Sequence, residues 1–357
     1  MLSSADSFFR YGILGNSVRL DASTVCQLKC VLCPQSKGEM EFIGRGYLSF
    51  EHFKKFVDTH RSIRNIELAN YGEIFLNPQI EAIIRYAREK GVTLTAWSGV
   101  NLNTVSEAVL EALVRYRFQG MTVSIDGASR ETYALYRRGG DFNRVLENID
   151  RLNYYKHLYQ SDLPFLSWQF VIFGHNEHEL TSARRMAEER KMGFIARTNW
   201  DVSYSPLRDS GRARRETGMP TPSREGHENA PRRLSSFSCA QVWSSPQINW
   251  DGRLLGCCVN LGAAFGNVFD AGLGRCIRSR RYRHLKKAIL GYTAETGDIP
   301  CVRCQYFSLI RGLPPCKRSE ILGVECRRDI PLPILEGFAF LSKLWEHARK
   351  IASRARR

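Results

Sequence analysis

Apolar and polar positions change period along this chain, and the changes divide it. Between residues 18 and 200, short runs of period two alternate with longer runs of period near 3.6. The period-two runs predict strands over 18–24, 63–69, 92–98, 120–126, 165–173 and 193–200. Ile80, Ile83, Ile84 and Ala87 share one helical face, with Asn77 as its cap and Pro78 in its first position. Val105, Val109, Leu110 and Val114 form a second stripe, opened by a capping box at Thr104 and Glu107. Phe142, Val145, Leu146, Ile149 and Leu152 form a third, and a fourth helix is predicted to begin at Asn176 and Glu179, again a capping box. Six strand–helix alternations predict an α/β fold with a parallel sheet and right-handed crossovers. Reactive groups are then expected at the C-terminal ends of the strands.

The pattern stops at 204–236. Pro206, Gly211, Gly218, Pro220, Pro222, Gly226 and Pro231 are interleaved with arginines and serines, which predicts a flexible basic linker. Asn249-Trp250-Asp251-Gly252-Arg253 then supplies a hairpin turn through Asp-Gly. From Pro331, Ile334, Phe338, Leu341, Trp345 and Ala348 recur at helical spacing beside Lys343, Arg349, Lys350 and Arg354. Such a basic amphipathic helix is expected to pack on its own domain in preference to an anionic membrane surface. The predicted divisions are a core at 1–203, a linker at 204–236, a smaller domain at 237–330 and a tail helix at 331–357.

Composition narrows the class. The 357 residues are 43% hydrophobic and 25% charged, as in ordinary globular proteins, with no 18-residue apolar run and no secretory signal. Eleven cysteines in such a chain point to metal or catalytic thiols and a cytoplasmic setting before disulfides. The net charge of +16 favours acidic partners, yet much of it lies in the linker and tail.

The chemistry concentrates in Cys26-Gln27-Leu28-Lys29-Cys30-Val31-Leu32-Cys33, directly after the first strand. A loop leaving a strand can wrap three thiolates around one side of an iron–sulfur cube and leave one iron without a protein ligand. A zinc loop is the alternative, but zinc sites favour paired C-x2-C units and lack the three-residue gap. Strand parity places Thr122, Ser124 and Asp126 on one face, and Ser167 with Gln169 on another, opposite apolar neighbours. Polar groups that face a barrel interior need partners, which a bound polar cofactor supplies. A second cysteine set comprises Cys239, Cys257, Cys301 and Cys304; four thiols from a hairpin region and a distant C-x2-C loop can close a second cube. Zinc on the same four is again the alternative, and Cys258 can replace Cys257. Cys276, Cys316 and Cys326 read as buried thiols, the alternative being that Cys316 or Cys326 serves a further cluster.

The C-x3-C-x2-C spacing resembles the signature of the radical S-adenosylmethionine (radical SAM) superfamily. The resemblance implies a partial (β/α)6 TIM-like barrel, a [4Fe-4S] cluster on Cys26, Cys30 and Cys33, and SAM chelated at the open iron. Tyr71-Gly72-Glu73 is similar to the family's Gly-Gly-Glu motif, with Tyr71 in place of the first glycine; Glu73 then faces the SAM ammonium. Ser98-Gly99, Ser124 and Asp126 sit where the family contacts the SAM carboxylate or ribose. Leu32 stands where an aromatic residue usually precedes the third cysteine, so adenine contact would lack a stacking component. Val123–Ala128, Thr132-Tyr133 and Arg137–Gly140 resemble the subgroup with C-terminal auxiliary clusters. The layout Cys239, Gly252, Cys257, Cys301, Cys304 resembles the twitch form of the SPASM domain, which implies one auxiliary [4Fe-4S] cluster.

From this resemblance the expected activity is reductive cleavage of SAM to a 5′-deoxyadenosyl radical. Oxidation of a small polar substrate, of sugar or cyclitol type, is expected to follow with help from the auxiliary cluster. Gln169, Arg197 and Asn199 are the candidate substrate contacts, and a flavodoxin or ferredoxin is the expected electron donor. Maturation of a ribosomally made peptide is the alternative; about 17 residues before the first strand are too few for an added leader-binding domain. A metal-stabilised nucleic-acid-binding protein is the non-enzyme alternative. No recognition-helix or stacking-aromatic pattern supports it.

Overall fold

A computed structural model describes residues 15–199, 201, 203–217, 235–315 and 318. Six strands of the first two hundred residues lie parallel in one sheet: β1 (Ser17–Leu20), β2 (Asn65–Glu67), β3 (Thr93–Val100), β4 (Gly120–Ser124), β5 (Phe165–Ile172) and β6 (Gly193–Thr198). The crossovers carry α1 (Phe50–Thr59), α2 (Ile80–Glu89), α3 (Glu107–Arg115), α4 (Arg130–Tyr136), α5 (Phe142–Leu158) and α6 (Leu180–Glu189). Beyond them come α7 (Ser210–Thr217), α8 (Ser235–Ser244), the hairpin β7 (Gln247–Ile248) and β8 (Leu254–Gly256), α9 (Val268–Ala271), α10 (Leu273–Ile277), α11 (Arg280–Leu290) and α12 (Gln305–Arg311).

Parity explains the layers. Val18 and Leu20, Ile66 and Leu68, Leu94 and Ala96, Met121 and Val123, Leu166, Trp168 and Phe170 are buried in the hydrophobic core. Their alternates are Arg19 and Asp21, Glu67, Thr95, Thr122 and Ser124, Ser167 and Gln169, so one face of the sheet is polar. That face is the inside of a partial barrel. β3 and β4 lose register between Ala96 and Val100, a bulge that carries Ser98 and Gly99 out of the regular pleat.

The sheet does not end with the core. β7 pairs with β1 in parallel, Arg19 N and Asp21 N donating to Pro246 O (3.1 Å) and Ile248 O (3.0 Å), and β8 completes the order β6-β5-β4-β3-β2-β1-β7-β8. The expected hairpin turn is present: Gly252 takes φ +88° and its N–H reaches Asn249 O at 2.9 Å. The second unit therefore begins as an extension of the first unit's sheet.

Several local expectations need correction. Asn77 Oδ1 accepts from Gln79 N at 2.8 Å, the bond expected of a cap, while its amide also donates to Ala22 O and Leu48 O, tying strand end to loop; the regular helix begins only at Ile80. Ser106, not Thr104, caps α3, and Glu107 turns outward to Arg151 and Tyr155 of α5. Asn176 bonds Asp126 O and Val171 O across the strand ends, and Glu179 accepts from Ala128 N and Thr132 Oγ1. Glu107, Asn176 and Glu179 bond distant segments where local partners are expected, and Asn77 does both. Part of the expected linker is folded as well: Glu177 accepts from Arg208 N and Asp209 N ahead of α7, whose Ala213 is buried. The rest of that linker, the tail helix, Cys316 and Cys326 lie outside the described residues. Among the described residues, no helix is long and apolar enough to cross a membrane.

Candidate functional site

The three-cysteine loop leaves β1 at the C-terminal end of the sheet. Gly72 packs flat against the backbone that leads into it, where a Cβ would stand 2.2 Å from Ser23 O. The next N–H, Glu73 N, donates to Val25 O at 2.8 Å. Cys30 is buried, Cys26 and Cys33 half-buried, in a small cluster with Leu28, Tyr136, Val171 and Phe173, against which Leu32 and Tyr204 pack. Asn101 Nδ2 lies 3.6 Å from Cys26 Sγ, and Arg137 Nη1 lies 3.6 Å from Cys30 Sγ. Neither contact is visible in the local sequence, although Arg137 falls within a quoted motif.

The expected cofactor contacts divide. Glu73 is 1% exposed, and its oxygens accept from Asn101 N (2.5 Å) and Phe75 N (3.3 Å). Burial pushes its carboxyl up to about 7. Asp126 is fully buried, pairing with Arg137 Nε at 2.5 Å and accepting from Val171 N at 2.7 Å. Both acids are thus committed to the chain's own backbone and to Arg137. Ser98 Oγ accepts from Arg19 Nη2 at 2.5 Å. Ser124 Oγ would stand 2.8 Å from a Cβ on Gly99, whose φ of +122° also favours glycine. Tyr71 packs with Met40, Ile43 and Leu255, and its phenol is raised by burial and next by the thiols of Cys258 and Cys257. It faces the second cysteine set. Gln169 is half-buried on the polar face beside Ser124. Arg197 is exposed, two residues beyond Ile195, the neighbour of Gln169 in β6. Asn199 is buried, its amide spent on Asp201 O and Tyr204 O of its own loop.

Cys239 of α8, Cys257 after β8, and Cys301 and Cys304 ahead of α12 line one pocket, whose other walls are Val242, Leu255, Val259, Leu285, Ile289 and Pro300. Cys258 and Cys276 are not among its walls; Cys276 Sγ bonds Asn267 O at 3.5 Å. Among the described residues, no three or more His, Cys, Asp or Glu side chains converge as a single-ion site. The four thiols instead ring a hollow.

Both donor sets fit iron–sulfur clusters chemically. Burial raises the Cys26 and Cys239 thiols to about 12, with Glu73 the next influence on the first and Cys304 on the second, and it raises Cys30, Cys257 and Cys301 as well. Bound iron removes that penalty, because it holds the thiolates as ligands. In the first set, Arg137 and Asn101 can donate to sulfur; in the second, the walls are apolar.

Comparisons with known proteins agree with this division. The model of the radical SAM superfamily matches residues 21–159, and that of an iron–sulfur cluster-binding domain, SPASM, matches residues 239–305. An AdoMet-dependent heme synthase of Methanosarcina barkeri (strain Fusaro / DSM 804) is 28% identical over 173 residues, covering 48% of this chain and 46% of that protein. The chain thus matches about half the length of this curated relative. Streptococcus suis SuiB shares the fold at a TM-score of 0.62 with 13% identity, over 87% of this chain and 78% of its own. SuiB bound to its precursor peptide SuiA gives 0.58 at 13% identity, over 87% and 77%. The two families imply SAM and [4Fe-4S] clusters as cofactors. The polar-faced partial barrel with the three-thiol loop at its strand ends thus lies in the segment that matches the radical SAM superfamily, residues 21–159, and the four-thiol pocket beyond β8 lies in the segment that matches the SPASM iron–sulfur domain, residues 239–305.

Proposed function

We propose that the protein oxidises a small polar molecule, of sugar or cyclitol type, held on the polar face of the partial barrel. Cys26, Cys30 and Cys33 hold one cluster and Cys239, Cys257, Cys301 and Cys304 a second. When bound, the first cluster with SAM supplies a hydrogen-abstracting 5′-deoxyadenosyl radical, and the second an electron acceptor. Gly72 and Glu73 fix the cysteine loop against β1 and β2. Arg137, beside Cys30, presents a guanidinium suited to a carboxylate. Gly99 and Ser124 shape the adjoining wall. Arg19, Gln169 and Arg197 offer donors to hydroxyl groups.

The observation that carries this reading is the strand pairing of β7 with β1, which brings the second thiol pocket to the edge of the same polar face. Tyr71 lies on that path, close in charge terms to both Asp21 and the thiols of Cys257 and Cys258. A peptide substrate is the second reading, favoured by the fold likeness to SuiB, solved with its precursor peptide SuiA, across 87% of this chain.

The test is anaerobic reconstitution. About eight irons per chain with matching sulfide are expected, and reductant with SAM should yield 5′-deoxyadenosine. Cys30→Ala should lower iron to about four and abolish that product. Zinc in place of iron, or 5′-deoxyadenosine from Cys30→Ala at the wild-type rate, would overturn the proposal. Sugars or cyclitols and short peptides, offered in parallel, separate the two substrate readings by which one is oxidised.

A further inference from the structure

The proposed reaction leaves one contact of Arg137 unused, the approach of its guanidinium to Cys30 Sγ. Arg137 follows α4 directly, and its N–H closes that helix on Tyr133 O at 2.8 Å. Its side chain is 15% exposed and is held from two sides. Nε meets the fully buried Asp126 carboxylate at 2.5 Å, and the guanidinium lies 5.2 Å from the centre of the Tyr136 ring. Asp126 is itself fixed by Val171 N at 2.7 Å, and its own carbonyl accepts from Asn176 Nδ2 at 3.0 Å. One of the other two guanidinium nitrogens, Nη1, points at Cys30 Sγ, 3.6 Å away. The same turn is bound to the cysteine loop through Lys29 N and Arg138 O at 2.9 Å, so the contact is a fixed one.

A cation and an N–H donor at a ligand sulfur stabilise the more negative, reduced state of a cluster, and burial strengthens both effects. Asp126 works the other way, because its charge offsets part of the guanidinium's. From this geometry we infer that Arg137, poised by Asp126, is a positioning residue that sets the reduction potential of the cluster bound through Cys30. The inference rests on the proposed three-cysteine cluster and concerns how readily it takes up one electron. No bond forms or breaks in that step.

The experiment is a redox titration of reconstituted full-length protein without substrate, followed by electron paramagnetic resonance. The signal that changes when SAM is added identifies the first cluster. Arg137→Gln should lower the reduced fraction at a fixed potential about tenfold, equivalent to about 59 mV for one electron. Asp126→Asn, which leaves the guanidinium charge uncompensated, should raise that fraction. Arg138→Gln, an exposed neighbour without the sulfur contact, should stay within about twofold because solvent screens its charge. Equal potentials in wild type, Arg137→Gln and Asp126→Asn would overturn the inference. If only one of the two variants assembles the cluster, the direction of its shift decides. Wild-type protein carrying 15N-arginine supplies an independent reading: a guanidinium nitrogen coupling to the first cluster supports the contact, and its absence overturns it. A wild type that assembles no iron–sulfur cluster would instead overturn the proposed function, which iron and sulfide analysis reports separately.

Discussion

At the scale of single residues, burial decides what each polar group does. Asp21 is 1% exposed, and among the described residues its Oδ1 has no hydrogen-bond partner. Burial raises its carboxyl to about 7, against the smaller lowering by Arg19 and Gln247; Glu67 and Asp251 push in the same direction as burial. A carboxyl whose folded value lies above its ordinary value contributes stability below about pH 4 that is lost as pH rises toward 7. Asp21→Asn should therefore flatten the pH dependence of the denaturation midpoint over that range, by roughly 4 kcal/mol between its ends. A wild-type midpoint that does not fall between pH 4 and 7 would contradict this. Gly72→Ala, with its Cβ against backbone, should cost several kcal/mol and reduce iron at the first site, seen in thermal unfolding and iron content. The sequence discloses the thiols because their spacing is itself the chemistry. It conceals the roles of Arg137 and Asn101, since contacts to Cys30 and Cys26 depend on how distant strand ends meet. The internal hydrogen bonds of Glu73, Asp126 and Asn199 are hidden in the same way, since each partner lies in another segment or in an irregular loop.

At the scale of elements, period-two patterns located all six parallel strands, because a polar face inside and an apolar face outside leave a strong alternation. Strand ends are less legible: the first strand, expected over 18–24, stops at Leu20, whereas the third, expected over 92–98, runs on to Val100. The capping box expected at Asn176 and Glu179 is absent for a related reason, as both side chains serve tertiary contacts that no local window contains. The β7–β8 hairpin was legible from Asp-Gly alone, whereas its pairing to β1 was not, for strand order is not written in any single segment. Its turn makes a sharp prediction. Gly252 sits at φ +88° with Asn267 Oδ1 and Phe269 each 2.4 Å from a Cβ position. Gly252→Ala should disturb the approach to Cys257 and lower iron from about eight to about four per chain. The three-thiol site should keep its iron and its 5′-deoxyadenosine formation. Full iron content in this variant would show that the turn does not govern the second site.

At the scale of the whole molecule, the cysteine loop and the four-thiol pocket hang from one continuous sheet. The composition shift at 204–236 predicts a flexible linker, and the first described residues of that stretch are tied to the core. Ser205 O accepts from Gly174 N at 2.8 Å, and Gly174 packs so closely on Pro206 that a Cβ would stand 1.9 Å from its carbonyl oxygen. β1 has β2 on one side and β7 on the other. A chain ending at residue 236 would therefore bare a row of unsatisfied amide and carbonyl groups along β1, beside the cysteine loop. Bare rows of that kind recruit strands from other molecules. Such a shortened protein should self-associate, with light scattering rising steeply with concentration, while the full chain does not. The second unit thus doubles as a chaperoning cover: it keeps the edge of β1, next to the cysteine loop, from becoming a seed for precipitation.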